Sequence, residues 1–104
     1  MQAIISDIHS NIEAFSAVLQ DIEQQGVRDV ICLGDVIGYG PNPTDCVDAA
    51  SKFPLVLQGN HEEAVLNPVF AQGFNAKASS AVKWTNAQFG MLTDEERARN
   101  APRW

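Results

Sequence analysis

No apolar run in this sequence approaches the about 20 residues of a membrane span. The start, MQAIISDIHSN, has neither a basic n-region nor a cleavage site, so it does not read as a signal peptide and the cytoplasm is the expected compartment. Basic residues are few: 7 Lys and Arg stand against 13 Asp and Glu, for a formal net charge of −6. That balance gives no general attraction to nucleic-acid phosphates or anionic lipid, so neither a membrane nor strong nucleic-acid binding is expected. An acidic protein can still act on a phosphate ester where a bound cation reverses the local field. Cysteine is scarce. Cys32 in VICLG and Cys46 in TDCVDAA lack metal-type spacing, and their number alone does not justify a disulfide. They read as reduced thiols packed as small hydrophobes. Histidine is equally scarce, with His9 and His61 only. There is no internal repeat, low-complexity tract or linker. At 104 residues, 45% of them apolar, the chain is one domain at most, with a modest core.

What is present alternates in type. AIIS at 3–6 is a short apolar run suited to a buried strand. Ser10 and Glu13 stand at capping-box spacing, and Ile12, Phe15, Val18, Leu19 and Ile22 form one helical stripe that Gly26 is placed to end. DVICLG at 29–34 predicts a second buried strand, rich in β-branched residues. The glycines and prolines of GYGPNP then exclude regular structure. Thr44 is placed to cap a short helix to about Ser51, and PLVLQ at 54–58 predicts a third strand. A long stretch without proline predicts a helix from about Asn75 to Phe89, and TDEER at 93–97 offers a second capping box, Thr93 with Glu96. The order β-α-β-α-β with short connections gives an α/β fold, a parallel sheet covered by helices. Ligands of such sheets collect just beyond the carboxyl ends of the strands, where three polar clusters fall.

The first cluster is SDIHSN at 6–11. Asp7 and His9 are two residues apart at a strand end, so both side chains can point to one side and share a divalent metal. Alone, D-x-H is a common chance pattern and fits a surface turn equally well. The second is Gly34-Asp35, where glycine permits a tight bend and the carboxylate reaches over the sheet edge with two acceptor oxygens. One such carboxylate can bridge two cations, or simply stabilise its own turn. The third is QGNHE at 58–62. Asn60 supplies a neutral oxygen suited to a second cation. His61 could be a ligand, a proton donor or a contact to a phosphoryl oxygen, or a helix-start residue with a structural hydrogen bond. Gly38-Tyr39-Gly40-Pro41 can shape specificity or be a rigid turn.

D-x-H, G-D and G-N-H-E, in this order on successive strands, together resemble the calcineurin-like metallophosphoesterases. The GDVIGYGPNP loop is further similar to the small bacterial phosphodiesterase-like branch of that superfamily, and the resemblance covers residues 1–62 by motif. It implies the parallel-sheet β-α-β-α-β half of a four-layer α/β sandwich, followed by helices, in one truncated domain over residues 1–104. It also implies a dinuclear centre at the sheet edge. Asp7 and His9 would hold the first metal, Asp35 would bridge, and Asn60 would hold the second. His61 would act near the leaving or phosphoryl oxygen, helped by Glu62. Two divalent cations, manganese or else iron, zinc or nickel, would polarise the phosphoryl oxygens and activate water as nucleophile at neutral pH. The implied activity is hydrolysis of phosphate esters of small molecules, as a phosphoesterase or phosphodiesterase.

The family completes its site with later histidines, a GH and then a GHxH, on strands of a second sheet. With His61 assigned to the phosphoryl group, Asp7, His9, Asp35 and Asn60 remain for two metals, which implies weak metal binding and leaves hydrolysis by so short a chain open. The alternatives are a non-catalytic metal- or phosphate-binding module and a fragment of a larger phosphoesterase. A half-domain leaves an apolar sheet face uncovered, and such faces take partners. A homodimer, or another partner over the sheet, is therefore expected, with the C-terminal segment packed on the sheet or on another copy.

Overall fold

The apolar run at the start becomes β1, Gln2–Ile5, in the computed structural model of the protein, which describes residues 1–90. β2 spans Asp29–Cys32 and β3 spans Leu55–Val56. The strands are parallel, in the order β1-β2-β3, with Ile4, Ile31 and Leu55 in one register and Ile5, Cys32 and Val56 in the next. Helix α1 (Ile12–Gln24) joins the first two strands and α2 (Pro43–Ala50) joins the second to the third. The mixed α/β architecture is thus the one the alternation of runs predicts. The third strand is shorter than the 54–58 expected: Pro54 has no N–H to give a ladder, and past Leu57 the chain turns into a helix.

Two helix starts differ from expectation. Ser10 does not cap α1, because it is fully buried and its N–H donates to the Val36 carbonyl at 2.8 Å. Asn11 caps instead, its side chain accepting from Ala14 N at 3.1 Å. Pro43 takes the first turn of α2, where its fixed φ suits the helix, which moves the cap from Thr44 to Asn42. Gly26 does end α1. At φ 73° it donates to Glu23 O while Val27 N reaches Ile22 O, satisfying two terminal carbonyls. After β3 come α3 (Asn60–Leu66), a 3₁₀ turn (Pro68–Ala71) and α4 (Ala76–Gly90). α4 matches the expected helix closely. α3 realises the helix start left open at His61, the 3₁₀ turn was not anticipated, and the 93–97 capping box and the C-terminal packing lie outside the described residues.

Both crossovers step the same way across the sheet, so the right-handed rule places α1 and α2 on one face. Burial agrees. Val30 and Cys32 are buried on that side, and Cys32 belongs to one core cluster with Phe15, Val47 and Ala50 of the helices. The opposite face carries Ile4, Leu33, Leu55 and Leu57, and Ile4 is 63% exposed. Parallel sheets ordinarily bury both faces, whereas this aliphatic row is left partly exposed among the described residues. Both cysteines are buried and free, and burial pushes the Cys46 thiol up to about 12, which suits inert packing groups. Among the described residues, no helix is long and apolar enough to cross a membrane.

Candidate metal centre

Three loops meet beyond the carboxyl ends of the strands, and backbone hydrogen bonds lace them together. Asp7 N donates to Gly34 O at 3.1 Å, His9 N to Asp35 O at 3.0 Å, and Asn42 N to Ser10 O at 2.9 Å. The second loop is anchored from below by Val36 and Ile37, both fully buried in the core. It also lies against the third. A Cβ on Gly34 would stand 2.6 Å from Gly59 N, a clash of backbone with side chain that only glycine avoids. Gly34 has φ 119°, which other residues rarely adopt.

This lacing bends the chain into left-handed conformations at Asp7 (φ 59°), His9 (49°), Ser10 (59°), Asp35 (54°) and Tyr39 (62°). Non-glycine residues hold such angles only where the surroundings impose them, and they concentrate at functional sites. Three of the five are the acidic and imidazole groups singled out in the sequence. Asp7, His9 and Asp35 each offer one ligand atom, and these atoms lie within 4.8 Å of one another.

The donors are also oriented. His9 Nδ1 lies 3.1 Å from the Ile37 carbonyl, to which it donates, so Nε2 is the ring atom turned to Asp7. Nε2 sits 3.3 Å from Asp7 Oδ1, so the two atoms that could serve a cation as ligands already stand side by side. Ser6 Oγ donates to Asp7 Oδ2 at 2.6 Å and, with smaller help from His9, holds the Asp7 carboxyl below its ordinary range. Asn60, oriented by its hydrogen bonds, turns its amide nitrogen to Asp35, 3.1 Å from Oδ1 and 3.0 Å from Oδ2. Rotated by half a turn, the same amide would present oxygen to a cation that Asp35 holds. Oxygen and imidazole donors of this kind fit divalent cations of hard or borderline character.

His61 and Glu62 open α3. The His61 N–H donates to Asp35 Oδ1 at 3.0 Å, and its ring centroid lies 4.8 Å from that of His9. The ring is buried and also touches Phe74, while Nδ1 has no hydrogen-bond partner among the described residues. Burial, reinforced by His9, pushes the His61 imidazole below its ordinary value against the opposing pull of Asp35 and Asp7. Glu62 takes a different place from the expected helper of His61. Its side chain is 0% exposed, and both oxygens accept backbone N–H groups. Oε1 takes Asp35 N at 2.6 Å and Gly59 N at 2.9 Å, and Oε2 takes Ile37 N at 3.2 Å. Burial raises its carboxyl pKa, and the three backbone bonds oppose that rise. The carboxylate is thus enclosed by backbone donors and sealed from water.

The calcineurin-like phosphoesterase family model matches residues 3–97, nearly the whole chain. The chain belongs to that family. An uncharacterized protein of Methanocaldococcus jannaschii is 45% identical over 86 residues, which is 82% of this chain and 35% of the relative. The crystal structure of a metallophosphoesterase from Sphaerobacter thermophilus superposes with a TM-score of 0.70 at 35% identity, over 96% of this chain and 40% of that one. The chain thus spans well under half the length of these two proteins.

All six residues named from the sequence fall in this one neighbourhood. What sequence reading missed are contacts that residue identity does not carry. The Ile37 carbonyl orients His9 through a backbone atom, which any residue at that position would supply. Ser6, beside Asp7 in the same motif, is the one missed side chain that adjacency could have indicated.

Proposed function

We propose that this chain carries a divalent-metal centre of a phosphoesterase that hydrolyses phosphate esters of small molecules, phosphodiesters included. The observation that supports it best is the convergence of Asp7, His9 and Asp35, with His9 Nδ1 tied to a carbonyl so that Nε2 is the ring atom turned to Asp7. In this reading Asp7 and His9 hold one cation, Asp35 bridges to a second, and Asn60 turns its amide oxygen to that second one. Bound there, the cations would supply charge to the phosphoryl oxygens and lower the pKa of an attacking water. His61, fixed by its N–H bond to Asp35 and by ring contacts, stands beside the cluster as the phosphoryl contact. Glu62 keeps the second and third loops in register. Manganese is the cation to test first, since a carboxylate-rich set with one imidazole suits it.

The experiment is manganese titration by calorimetry, followed by hydrolysis of bis-p-nitrophenyl phosphate. Micromolar binding with release of p-nitrophenol above the metal-free control is the expected result. Binding without turnover would favour a non-catalytic metal- or phosphate-binding module, and absence of binding would overturn the proposal.

The bare sheet face is assigned to a second copy of the chain. Two identical twisted aliphatic faces can stack as an aligned sandwich about a two-fold axis. Light scattering at micromolar concentration should give the mass of a dimer, and Leu33→Lys, at the middle of the face, should give a monomer. A monomeric parent protein would overturn the homodimer.

A further inference from the structure

The GYGPNP loop lies directly on both histidine segments. Gly38 has φ 97°, and a Cβ there would overlap the His61 imidazole. A Cβ on Gly40 would overlap the backbone of His9 and Ser10, and Gly40 N donates to His9 O at 3.0 Å. Between these two glycines stands Tyr39 at φ 62°, a conformation that costs a bulky residue energy and persists only when the fold enforces it.

The outcome of that enforcement is the placement of one ring. The Tyr39 ring centroid is 5.1 Å from that of His9, edge-on, and 4.8 Å from that of His61. Yet the residue remains 55% exposed, and its hydroxyl has no hydrogen-bond partner among the described residues. A tyrosine used only for packing gives up its exposure or bonds its hydroxyl. Here a strained backbone holds an open aromatic surface against the candidate ligand His9 and the proposed phosphoryl contact His61. The neighbouring charged side chains of the cluster, Asp7 and Asp35, are acidic, so an additional anionic group on the ligand is disfavoured there, whereas a flat uncharged ring is not.

We infer that Tyr39 is a substrate-binding residue, which receives by ring contact the aromatic group of a phosphate ester whose phosphoryl end lies at the metal centre. The inference rests on the metal-centre reading above. It narrows the substrate class to esters of aromatic alcohols or of nucleosides, since both put a flat ring close to the phosphate. Edge-to-face or offset contact with Tyr39 would favour such esters over alkyl esters of equal charge.

Binding to the manganese-loaded protein tests this without depending on turnover. Phenyl phosphate, adenosine 5′-monophosphate and methyl phosphate are titrated by calorimetry against the parent chain and against Tyr39→Phe, Tyr39→Ala and Tyr39→Gly. The parent chain should prefer at least one aromatic ester over methyl phosphate by about three- to tenfold, the range of one ring contact. The ester with the larger preference identifies whether the ring is joined directly or through ribose. Tyr39→Phe should keep the preference, while Tyr39→Ala and Tyr39→Gly should lose it with methyl phosphate binding retained. Tyr39→Gly relieves the positive φ, so loss in that variant reports the ring and not loop strain. Equal affinity for all three esters in the parent chain, or a preference that survives in Tyr39→Gly, overturns the role of Tyr39 alone. Absence of any phosphate-ester binding overturns the metal-centre reading and this inference with it.

Discussion

Replacing Glu62 by alanine is expected to lower folding stability by about 3–5 kcal/mol, a large share of the about 5–15 kcal/mol of a typical domain. The reason lies in what the carboxylate satisfies. Asp35 N, Gly59 N and Ile37 N all donate to it, and the side chain is wholly inaccessible to water. Alanine would leave three backbone donors beside a cavity in the middle of the laced loops. Glu62→Gln is the sharper comparison. Its amide oxygen can still take Asp35 N and Gly59 N, leaving only Ile37 N opposed by an amide NH₂, so the loss should fall to about 1–3 kcal/mol. Urea unfolding reads both as a lowered midpoint at constant slope. A Glu62→Ala protein within about 1 kcal/mol of the parent would show that the three bonds are replaced by water or dispensable. The positioning role would then fail with them.

The parts of this molecule that were legible in the sequence are those written in side-chain periodicity. AIIS and DVICLG became paired strands, and the apolar stripe from Ile12 to Ile22 became α1, because burying an apolar face leaves few alternatives. That the six polar residues would lie together was legible because the parallel α/β topology brings strand ends to one edge. Helix starts were less so. Ser10 and Asn11 are both good caps, and the choice between them was made by a long-range bond from Ser10 N to Val36 O. α3 was left open for a similar reason. Its first residues are the polar cluster itself, and the half capping box from Glu62 back to Gly59 N has a glycine at the cap, where sequence gives no side-chain signal. For Glu62, the resemblance implies a helper of His61. The motif does not show that Glu62 is buried with both oxygens on backbone donors of the second and third loops.

Asp35→Asn is expected to weaken manganese binding at least about 100-fold while leaving the metal-free fold as stable as before, within about 0.5 kcal/mol. The two halves of this prediction have one cause. In the metal-free protein Asp35 lies among groups that do not favour another negative charge: its carboxylate is clustered with that of Asp7 and helps to raise the pKa of Glu62. The hydrogen bonds it accepts survive in the amide, which still offers an oxygen to His61 N, while the Asn60 amide can rotate to meet an NH₂ group. The change therefore removes little that the fold uses. For a cation it removes the one carboxylate placed between Asp7 and His9 on one side and Asn60 on the other. Calorimetric titration with manganese and thermal unfolding in chelator separate the two effects. Asp35→Ala should weaken binding as much but also destabilise the fold, since His61 N then loses its acceptor. Retained manganese affinity in Asp35→Asn would remove Asp35 from the centre. A loss of affinity matched by an equal loss of metal-free stability would make it a loop-bracing group instead. The expected split, function lost and fold kept, is the signature of a residue whose strained φ of 54° and crowded charge serve a bound cation rather than the fold.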